Sequence, residues 1–528
     1  MSQRSLRLRV AVSAVLSVVL AAALGACSSG TSQHAAKPAD TAHAAPATAP
    51  PATSAGTTPP ITGAQPGLGR YYHQKVSWHP CRSGDRCTRI TVPLDYAHPS
   101  GRAISLAVLD VPAQHPGSSP QFLVVNPGGP GGSGIDYAAN AATYFGQPLR
   151  DNFDIVGFDP RGVGQSTPVQ CLSDHQLDVF LASDPDPDTA AERQHSDQML
   201  TQFGRGCVRD SGALAAHIST EEAARDIDIL RAVLGQPKLD YFGASYGTFL
   251  GATYAGLFPK RVGRMVLDGA VDPALSTYKL NLVQAHGFEV ALRAYIGNCV
   301  QQGGCFLGSS VDAGEARIQQ LLASVEAHPL PGFDGRQLAI GNAVMGIWAP
   351  LYNRSYWPIL DAALQNAFAG NGAVLLKLSD AYTSRGANGY TDNSTEALYD
   401  IDCLDHDDSI PTSQVPKHFP EFEKASPTFG KIFAFGLSTC STWPIHTGRV
   451  PAPIHAPGAA PILVIGTTRD PATPLVWAQA LARELQSGIL VTRNGDGHTG
   501  YHAGNACVDS TVESYLVAGK VPGHDVRC

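Results

Sequence analysis

The chain has 528 residues and is 43% hydrophobic and 16% charged, a balance typical of a folded globular protein. Its formal net charge is -8 and it carries no basic stripe or run, which argues against a nucleic-acid partner. The length exceeds what one simple core holds, and 54 Gly and 39 Pro predict many turns and long loops.

The N-terminus predicts export and attachment to a membrane. Residues 1–26 have the form of a secretory signal, in which arginines precede an apolar stretch over 10–25 that is shorter than the about 20 residues of a membrane span. The Leu-Gly-Ala-Cys sequence at 24–27 resembles a bacterial lipobox. We therefore expect a lipid on Cys27 to anchor the protein at the extracellular face of the bacterial membrane. The alternative is an ordinary signal peptide beside an unrelated cysteine.

Residues 27–69 predict a flexible linker. They are rich in Ala, Pro and Thr and lack hydrophobic periodicity, so they bury too little apolar surface to offset the entropy of ordering. We expect a tether between the anchor and the folded part of the chain. Whether cleavage of this tether releases the protein into the medium is left open.

Ten cysteines remain when Cys27 is set aside, and an even number in an exported chain predicts disulfides. Ten cysteines allow about 945 pairings, so proximity along the chain is the only guide. None shows zinc-finger spacing, and we expect neither a metal nor a cofactor. The neighbouring pairs are Cys81–Cys87, Cys171–Cys207, Cys299–Cys305, Cys403–Cys440 and Cys507–Cys528.

From residue 70 onward, strand-like and helix-like segments alternate, which predicts an α/β fold with a mostly parallel central sheet. A helix is predicted over 220–234, where Ser219 and Glu222 fit a capping box at its start. The predicted strands cover 104–111, 121–126, 153–158, 239–242, 264–268, 461–466 and 488–492.

The segment 276–454 interrupts this alternation with predicted helices over 281–295, 315–326 and 358–368. An insertion between late strands of such a sheet lies over the carboxyl ends of the strands, where ligands bind. We therefore expect a largely helical cap over a core formed by 70–275 and 455–528. The alternative is a separate domain with a role of its own.

The Gly243-Ala244-Ser245-Tyr246-Gly247 sequence predicts a nucleophile elbow, because it joins a strand-like run to a helix-like one. In this turn the serine hydroxyl points away from the sheet and the next backbone N–H faces a developing oxyanion. We therefore predict that Ser245 is the nucleophile of a serine hydrolase, the alternative being a serine in an ordinary glycine turn.

A serine nucleophile needs a base and an orienting acid, which in α/β-hydrolases follow it in the order Asp or Glu, then His. Asp470 follows an apolar strand in a Pro-rich loop, and His498 lies in a Gly-rich loop after the last strand. We predict a Ser245–Asp470–His498 triad. The alternatives for its last two members are Asp268 and Asp272 as the acid and His502 and His524 as the base.

An oxyanion hole requires two N–H donors. The backbone N–H of Tyr246 follows from the elbow, and the second donor should come from a loop after an early strand. The glycine-rich stretch 126–134 follows the strand-like run 122–125 and fits this place. It is not a phosphate loop, because no Gly-Lys-Ser/Thr follows.

Together these motifs resemble the prolyl aminopeptidase-like α/β-hydrolases, and more closely the secreted tripeptidyl aminopeptidases of actinomycetes and their mycobacterial cell-envelope serine protease relatives. The matching sequences are Gly128 to Gly131, the Ser245 elbow, 470–474, His498, 158–166, 401–403 and 443–444. The resemblance implies an α/β-hydrolase with a helical cap that cleaves short peptides from a free amino terminus.

The resemblance also implies that Gly129 supplies the second oxyanion donor. Asn126-Pro127 stands where the prolyl enzymes usually carry a histidine before the glycines, which favours release of tripeptides. Arg161 lies within a matching stretch, and we expect it to hold its loop by pairing with backbone or a carboxylate rather than to act in catalysis.

An aminopeptidase must recognise a free α-ammonium, which requires a carboxylate near the cleft. Acidic residues surround Cys403 in the cap, and Asp405 is the candidate for this contact. A solvated acidic loop is the alternative, and a calcium site lacks EF-hand spacing. The expected partners are peptide substrates and the membrane. A carboxylesterase or lipase with the same triad, or a non-catalytic peptide-binding lipoprotein, stays open as an alternative function.

Overall fold

A computed structural model describes residues 67–82, 84–117 and 121–528 of the protein. The predicted signal, Cys27 and nearly all of the linker lie outside these residues, and they stay predictions. Among the described residues, no helix combines the length and the hydropathy of a membrane-spanning segment.

A ten-stranded sheet forms the centre of the fold, and the predicted α/β class is confirmed. Its strand order is β1-β2-β3-β5-β4-β6-β7-β12-β13-β14. The first four strands in this order pair antiparallel, and β5 through β14 pair in parallel. The ten strands are β1 (His79–Pro80), β2 (Arg86–Pro93), β3 (Ala103–Val111), β4 (Phe122–Asn126), β5 (Asp154–Phe158), β6 (Leu239–Ala244), β7 (Val262–Asp268), β12 (Ile462–Arg469), β13 (Gly488–Asp496) and β14 (Val526–Arg527).

Two short hairpins lie outside this sheet and are formed by β8 (Leu330–Pro331) with β9 (Gln337–Leu338) and by β10 (Arg385–Gly386) with β11 (Gly389–Tyr390). The central strands β4, β5, β6 and β12 are buried along nearly their whole length. Strands of a parallel sheet are covered on both faces, which explains why these segments read as continuous apolar runs rather than alternating ones.

Helices accompany the sheet in the first and last parts of the chain. Helix α7 begins after Ser219, whose side chain accepts from the Glu222 N–H. The reciprocal half of the predicted capping box is absent, because the Glu222 carboxylate contacts His217 Nδ1 at 2.9 Å instead. These helices are α1 (Gly69–Tyr72), α2 (Gly134–Ala139), α3 (Ala141–Tyr144), α4 (Gln147–Asn152), α5 (Asp174–Ala182), α6 (Ala190–Ser211), α7 (Thr220–Val233), α8 (Tyr246–Leu257), α17 (Leu475–Glu484) and α18 (Ala506–Ala518).

The segment between β7 and β12 is largely helical and encloses the three helices predicted there. Many of its helices share one buried cluster that includes Phe288, Leu292, Ile347, Leu360 and Phe429. They are α9 (Thr277–Gln302), α10 (Val311–Ala327), α11 (Ile340–Leu351), α12 (Trp357–Phe368), α13 (Ala373–Tyr382), α14 (Ser394–Asp405), α15 (Phe419–Ala425) and α16 (Gly430–Phe435). The boundaries 276–454 of a cap domain stay a prediction.

Short 3-10 turns join several of these elements, at Gly212–Ala216, Pro259–Arg261, Arg354–Tyr356, Thr412–His418 and Gly436–Ser438. Five disulfides connect the cysteines in the pairs expected from proximity: Cys81–Cys87, Cys171–Cys207, Cys299–Cys305, Cys403–Cys440 and Cys507–Cys528. The Cys403–Cys440 bridge fixes the end of α14, which lies beside the site described next.

Candidate active site

Ser245 stands at the turn between β6 and α8, as an elbow requires. Its backbone has φ 55 and ψ -127, a conformation that costs a non-glycine residue energy and that persists at functional turns. The Ser245 N–H donates to the Asp268 carbonyl at the end of the neighbouring strand β7, at 2.9 Å, which holds the elbow against the sheet. A Cβ at Gly243 would lie 2.2 Å from the Gly247 carbonyl oxygen, so only glycine fits at the first position of the motif.

Asp470 and His498 meet at the carboxyl ends of β12 and β13. Nδ1 of His498 donates to the two carboxylate oxygens of Asp470, at 2.9 and 3.0 Å. The carboxylate also accepts from the N–H groups of Ala472, Thr473 and Thr499 at 2.9–3.1 Å. An acceptor held at so many points fixes the imidazole with its Nδ1 proton toward Asp470 and leaves Nε2 to act as a base.

The surroundings of His498 strengthen it as a base. Burial alone would lower the pKa of His498, but the Asp470 charge and hydrogen bond outweigh burial, and the pKa is raised above its ordinary value. The carboxylate itself is buried, at 2% exposure, so water screens this interaction weakly.

The structure does not join Ser245 to His498 by a hydrogen bond. Nε2 of His498 is buried and has no hydrogen-bond partner among the described residues. The histidine backbone is held by its N–H, which donates to the Tyr352 carbonyl at 2.8 Å, and the Tyr352 ring lies edge-on at 5.2 Å. Catalytic hydrogen bonds often tighten only when substrate is present, so a free Nε2 is compatible with the triad.

The glycine-rich loop after β4 lies directly against the elbow. A Cβ at Gly128 would fall 2.5 Å from the Ala244 carbonyl oxygen and 2.8 Å from the Tyr246 nitrogen. The loop is shaped by the Asn126 side chain, which accepts from the Gly128 N–H at 2.9 Å, and by a cis peptide between Gly129 and Pro130. Within the described part of the chain, the N–H groups of Gly129 and Tyr246 donate to no protein group, and their role as oxyanion donors stays a prediction.

The alternative acids have other tasks in this structure. Asp268 accepts from the backbone N–H groups of Gly500 and Tyr501 at 2.7 and 2.9 Å and thereby anchors the loop that carries His498. Burial raises the pKa of Asp268 to about 6. Asp272 accepts from the Ala274 N–H in a local turn.

The alternative bases, His502 and His524, are both exposed. Nδ1 of His502 contacts the Thr143 carbonyl at 3.1 Å, and Nδ1 of His524 contacts the Asp525 carbonyl at 2.7 Å. Neither ring contacts the Asp470 carboxylate, so the geometry favours His498 as the base.

Arg161 has the structural role expected from the sequence. It is fully buried, and its Nε and Nη2 donate to the two oxygens of Asp226, each at 2.7 Å. Its remaining N–H groups donate to the carbonyls of Pro93, Leu94 and His217. One guanidinium therefore ties the loop after β5 to α7 and to the end of β2.

The prediction for Asp405 requires correction. Its carboxylate is buried and accepts from the Thr220 N–H at 3.1 Å and from the Thr220 hydroxyl, and it pairs with Arg449 at 3.3 Å. The Thr220 hydroxyl in turn contacts the Tyr246 phenol. These contacts occupy the carboxylate, so Asp405 connects α14 to the elbow and does not offer a site for a substrate ammonium.

Two residues beside the triad were given no role by the sequence analysis. The Thr473 hydroxyl lies 3.1 Å from Asp470 Oδ2 and 3.2 Å from His498 Nδ1, and its position three residues after the acid was the available signal. Tyr352 contacts His498 from the turn that follows α11, and nothing in the local sequence marks it.

Among the described residues, one group of three side chains has the spacing of metal ligands: Asp95, His217 and Glu222. The Arg161 guanidinium lies 3.5 Å from Glu222, and His217 already contacts the same carboxylate. A fixed positive charge at that distance opposes a cation, so these contacts explain the group as part of an ion-pair network.

Comparison with known proteins identifies the relatives of the chain. A family model described as TAP-like protein matches residues 426–528. The chain is 36% identical over 487 residues to the serine protease Hip1 of Mycobacterium tuberculosis strain H37Rv, over 88% of this chain and 92% of that protein. It is 35% identical over 498 residues to carboxylesterase B of the same strain, over 89% and 94%. It is 29% identical over 481 residues to a tripeptidyl aminopeptidase of Streptomyces lividans, over 88% and 89%.

Proposed function

The chain belongs to the TAP-like family of α/β-hydrolases and is a serine hydrolase, and on that premise we propose that it releases tripeptides from the free amino termini of peptides. The observation that carries the hydrolytic part of this proposal is the convergence of a strained Ser245 elbow with a His498–Asp470 pair at the same edge of the sheet. The named peptidases among the relatives support a peptide substrate over other acyl compounds.

In the proposed reaction, His498 Nε2 removes the proton of the Ser245 hydroxyl, which attacks the scissile carbonyl. The backbone N–H groups of Tyr246 and Gly129 hold the oxyanion that forms. Asp470 keeps the imidazole in the required tautomer and stabilises the imidazolium. His498 then protonates the leaving amine, and water, activated by the same histidine, hydrolyses the acyl-enzyme and restores Ser245.

Mass spectrometry of a free-amino peptide ladder tests this proposal. Wild type and Ser245→Ala are incubated with the same peptides, and the released fragments are weighed at early times. We expect wild type to release tripeptides stepwise from the amino terminus and Ser245→Ala to release none. Single residues as first products would refute tripeptide release, and equal cleavage by both proteins would refute Ser245 as the nucleophile.

A carboxylesterase is the second candidate function, and the relative named carboxylesterase B favours it. Esters and amides pass through the same acyl-enzyme, so the triad does not separate them. Comparison of kcat/KM for an alanyl tripeptide anilide and for an aryl butyrate decides between them. Turnover of the butyrate without cleavage of any peptide would establish the esterase.

We also propose that the protein acts at the extracellular face of the membrane through a lipid on Cys27. The lipobox-like sequence supports this location, since a diacylated terminus supplies enough buried hydrocarbon for stable anchoring. Metabolic labelling with a fatty-acid analogue should mark wild type and not Cys27→Ser. Equal partition of both proteins into the medium, without label on either, would refute the anchor.

A further inference from the structure

The side chain that follows the nucleophile is held by a network of polar contacts. The Tyr246 phenol contacts the hydroxyl of Thr220, the first residue of α7. This hydroxyl and the Thr220 N–H both contact the carboxylate of Asp405, the last residue of α14. Arg449, from the inserted segment, pairs with the same carboxylate at 3.3 Å. We call these four residues the elbow network, because they connect the nucleophile elbow to α7 and to the inserted segment.

The Asp405 carboxylate sets the direction of the hydrogen bonds in the elbow network. A carboxylate that pairs with a guanidinium only accepts hydrogen bonds, so the Thr220 hydroxyl donates its single proton to Asp405. The Thr220 oxygen must then accept the proton of the Tyr246 phenol. Burial, followed by the Asp405 charge, raises the pKa of Tyr246 well above its ordinary value, which keeps the phenol protonated as this donor. The phenol is therefore bound in one orientation.

The residue held by this network also carries one of the predicted oxyanion donors. The carbonyl of Ser245 and the N–H of Tyr246 belong to one planar peptide group. The carbonyl accepts from the N–H and the hydroxyl of Thr248, at 2.8 and 2.6 Å. The other end of the peptide group is attached to the Tyr246 Cα, whose buried side chain binds Thr220. Because the strained φ of Ser245 persists only where surrounding contacts hold it, both contacts set the orientation of the Tyr246 N–H.

We propose that Thr220 and Asp405 are positioning residues for the oxyanion hole, which aim the Tyr246 N–H at the oxyanion by holding the Tyr246 phenol. The inserted segment thereby contributes to catalysis through Asp405, which acts on Tyr246 rather than on the substrate. This inference rests on the oxyanion role proposed for the Tyr246 N–H and not on the identity of the substrate. Because the oxyanion forms only on the way through the transition state, loss of the phenol contact should lower kcat and leave KM unchanged.

A double-mutant cycle with Thr220→Val and Tyr246→Phe tests this role. Each variant removes one hydroxyl of the same hydrogen bond and keeps the shape of the side chain. A misdirected donor should cost about 10- to 100-fold in kcat, less than its complete removal. The double variant should lose no more than either single variant, because the contact is already broken. Thr220→Ser keeps the hydroxyl and should have a kcat within about threefold of wild type.

Two readouts separate positioning from a merely structural role. The first is kcat and KM for an alanyl tripeptide anilide or, if no peptide is cleaved, for an aryl butyrate. The second is the inhibition constant of butylboronic acid. The Ser245 oxygen adds to the boron and its proton passes to His498, so the tetrahedral adduct places a boron-bound oxygen at the oxyanion donors. This constant should rise by about the same factor by which kcat falls, since the adduct resembles the transition state.

Thr412→Val is the matched control, since Thr412 is also buried and its hydroxyl donates to a carboxylate, that of Asp197, at 2.8 Å. It should lose stability and keep the kcat and the inhibition constant of wild type.

Several results would overturn the proposal: a folded Thr220→Val enzyme with the kcat of wild type, losses that multiply in the double variant, or an equal loss of kcat in Thr412→Val. If Thr220→Val does not fold, Tyr246→Phe with an unchanged kcat would overturn it equally. The expected cycle, measured on the butyrate in an enzyme that cleaves no peptide, would uphold the elbow network and refute the exopeptidase function instead.

Discussion

Replacement of Gly128 by alanine should remove most of the activity and leave the fold intact. The added Cβ would lie 2.5 Å from the Ala244 carbonyl oxygen and 2.9 Å from the Ser245 Cβ, where ordinary contacts begin near 3.4 Å. The loop must therefore retreat by nearly an ångström, and a φ of +94 adds strain. Loss of one oxyanion donor costs about 10²- to 10³-fold in kcat, which is the loss we expect.

The assay is kcat for an alanyl tripeptide anilide or, if peptides are not cleaved, for an aryl butyrate, together with the thermal unfolding midpoint. Gly235→Ala is the matched control, because Gly235 has φ +70 and nothing within 4 Å of a new Cβ. It should lose stability of about 1–2 kcal/mol and keep its kcat. A folded Gly128→Ala enzyme with kcat within threefold of wild type would refute the placement of the oxyanion hole.

Three further predictions concern the base, a disulfide and a buried ion pair. Because the pKa of His498 is raised and only its neutral form is a base, kcat/KM should fall as pH drops through a value above about 6.5. Asp470→Asn should move this acidic limb of the pH profile to lower pH. An acidic limb that does not move would contradict the pairing of His498 with Asp470. Loss of the Cys403–Cys440 bridge, which closes a separation of 37 residues, in a double serine variant should cost about 4 kcal/mol in urea unfolding; an unchanged midpoint would show that the bridge does not constrain the unfolded chain. Arg161→Met should cost about 3–5 kcal/mol, since it leaves a buried carboxylate unpaired; a loss below 1 kcal/mol in the same measurement would contradict this role.

The sequence was sufficient to predict that Ser245, Asp470 and His498 lie at one edge of the sheet, because each follows its own apolar strand and parallel strands bring their carboxyl ends together. Asp470 and His498 are close for that reason although 28 positions separate them. The disulfides followed from short separations along the chain.

Contacts between residues far apart in the sequence could not be predicted from local patterns. Asp405 is bound by Thr220, 185 positions earlier, and no local pattern in the sequence marks its carboxylate as buried and bound. Tyr352 approaches His498 through the packing of helices in the inserted segment. The Glu222 carboxylate contacts His217 instead of the backbone N–H of Ser219. A capping pattern in the sequence does not show which of these two hydrogen bonds forms.

Covalent labelling by a fluorophosphonate, followed by peptide mapping, tests the central claim that Ser245 is an activated nucleophile. We predict one adduct per chain, located on Ser245, with activity lost in proportion to labelling. His498→Ala should label much more slowly, because the hydroxyl then lacks its base. Full inactivation with Ser245 unmodified, or activity that persists in Ser245→Ala, would contradict the account.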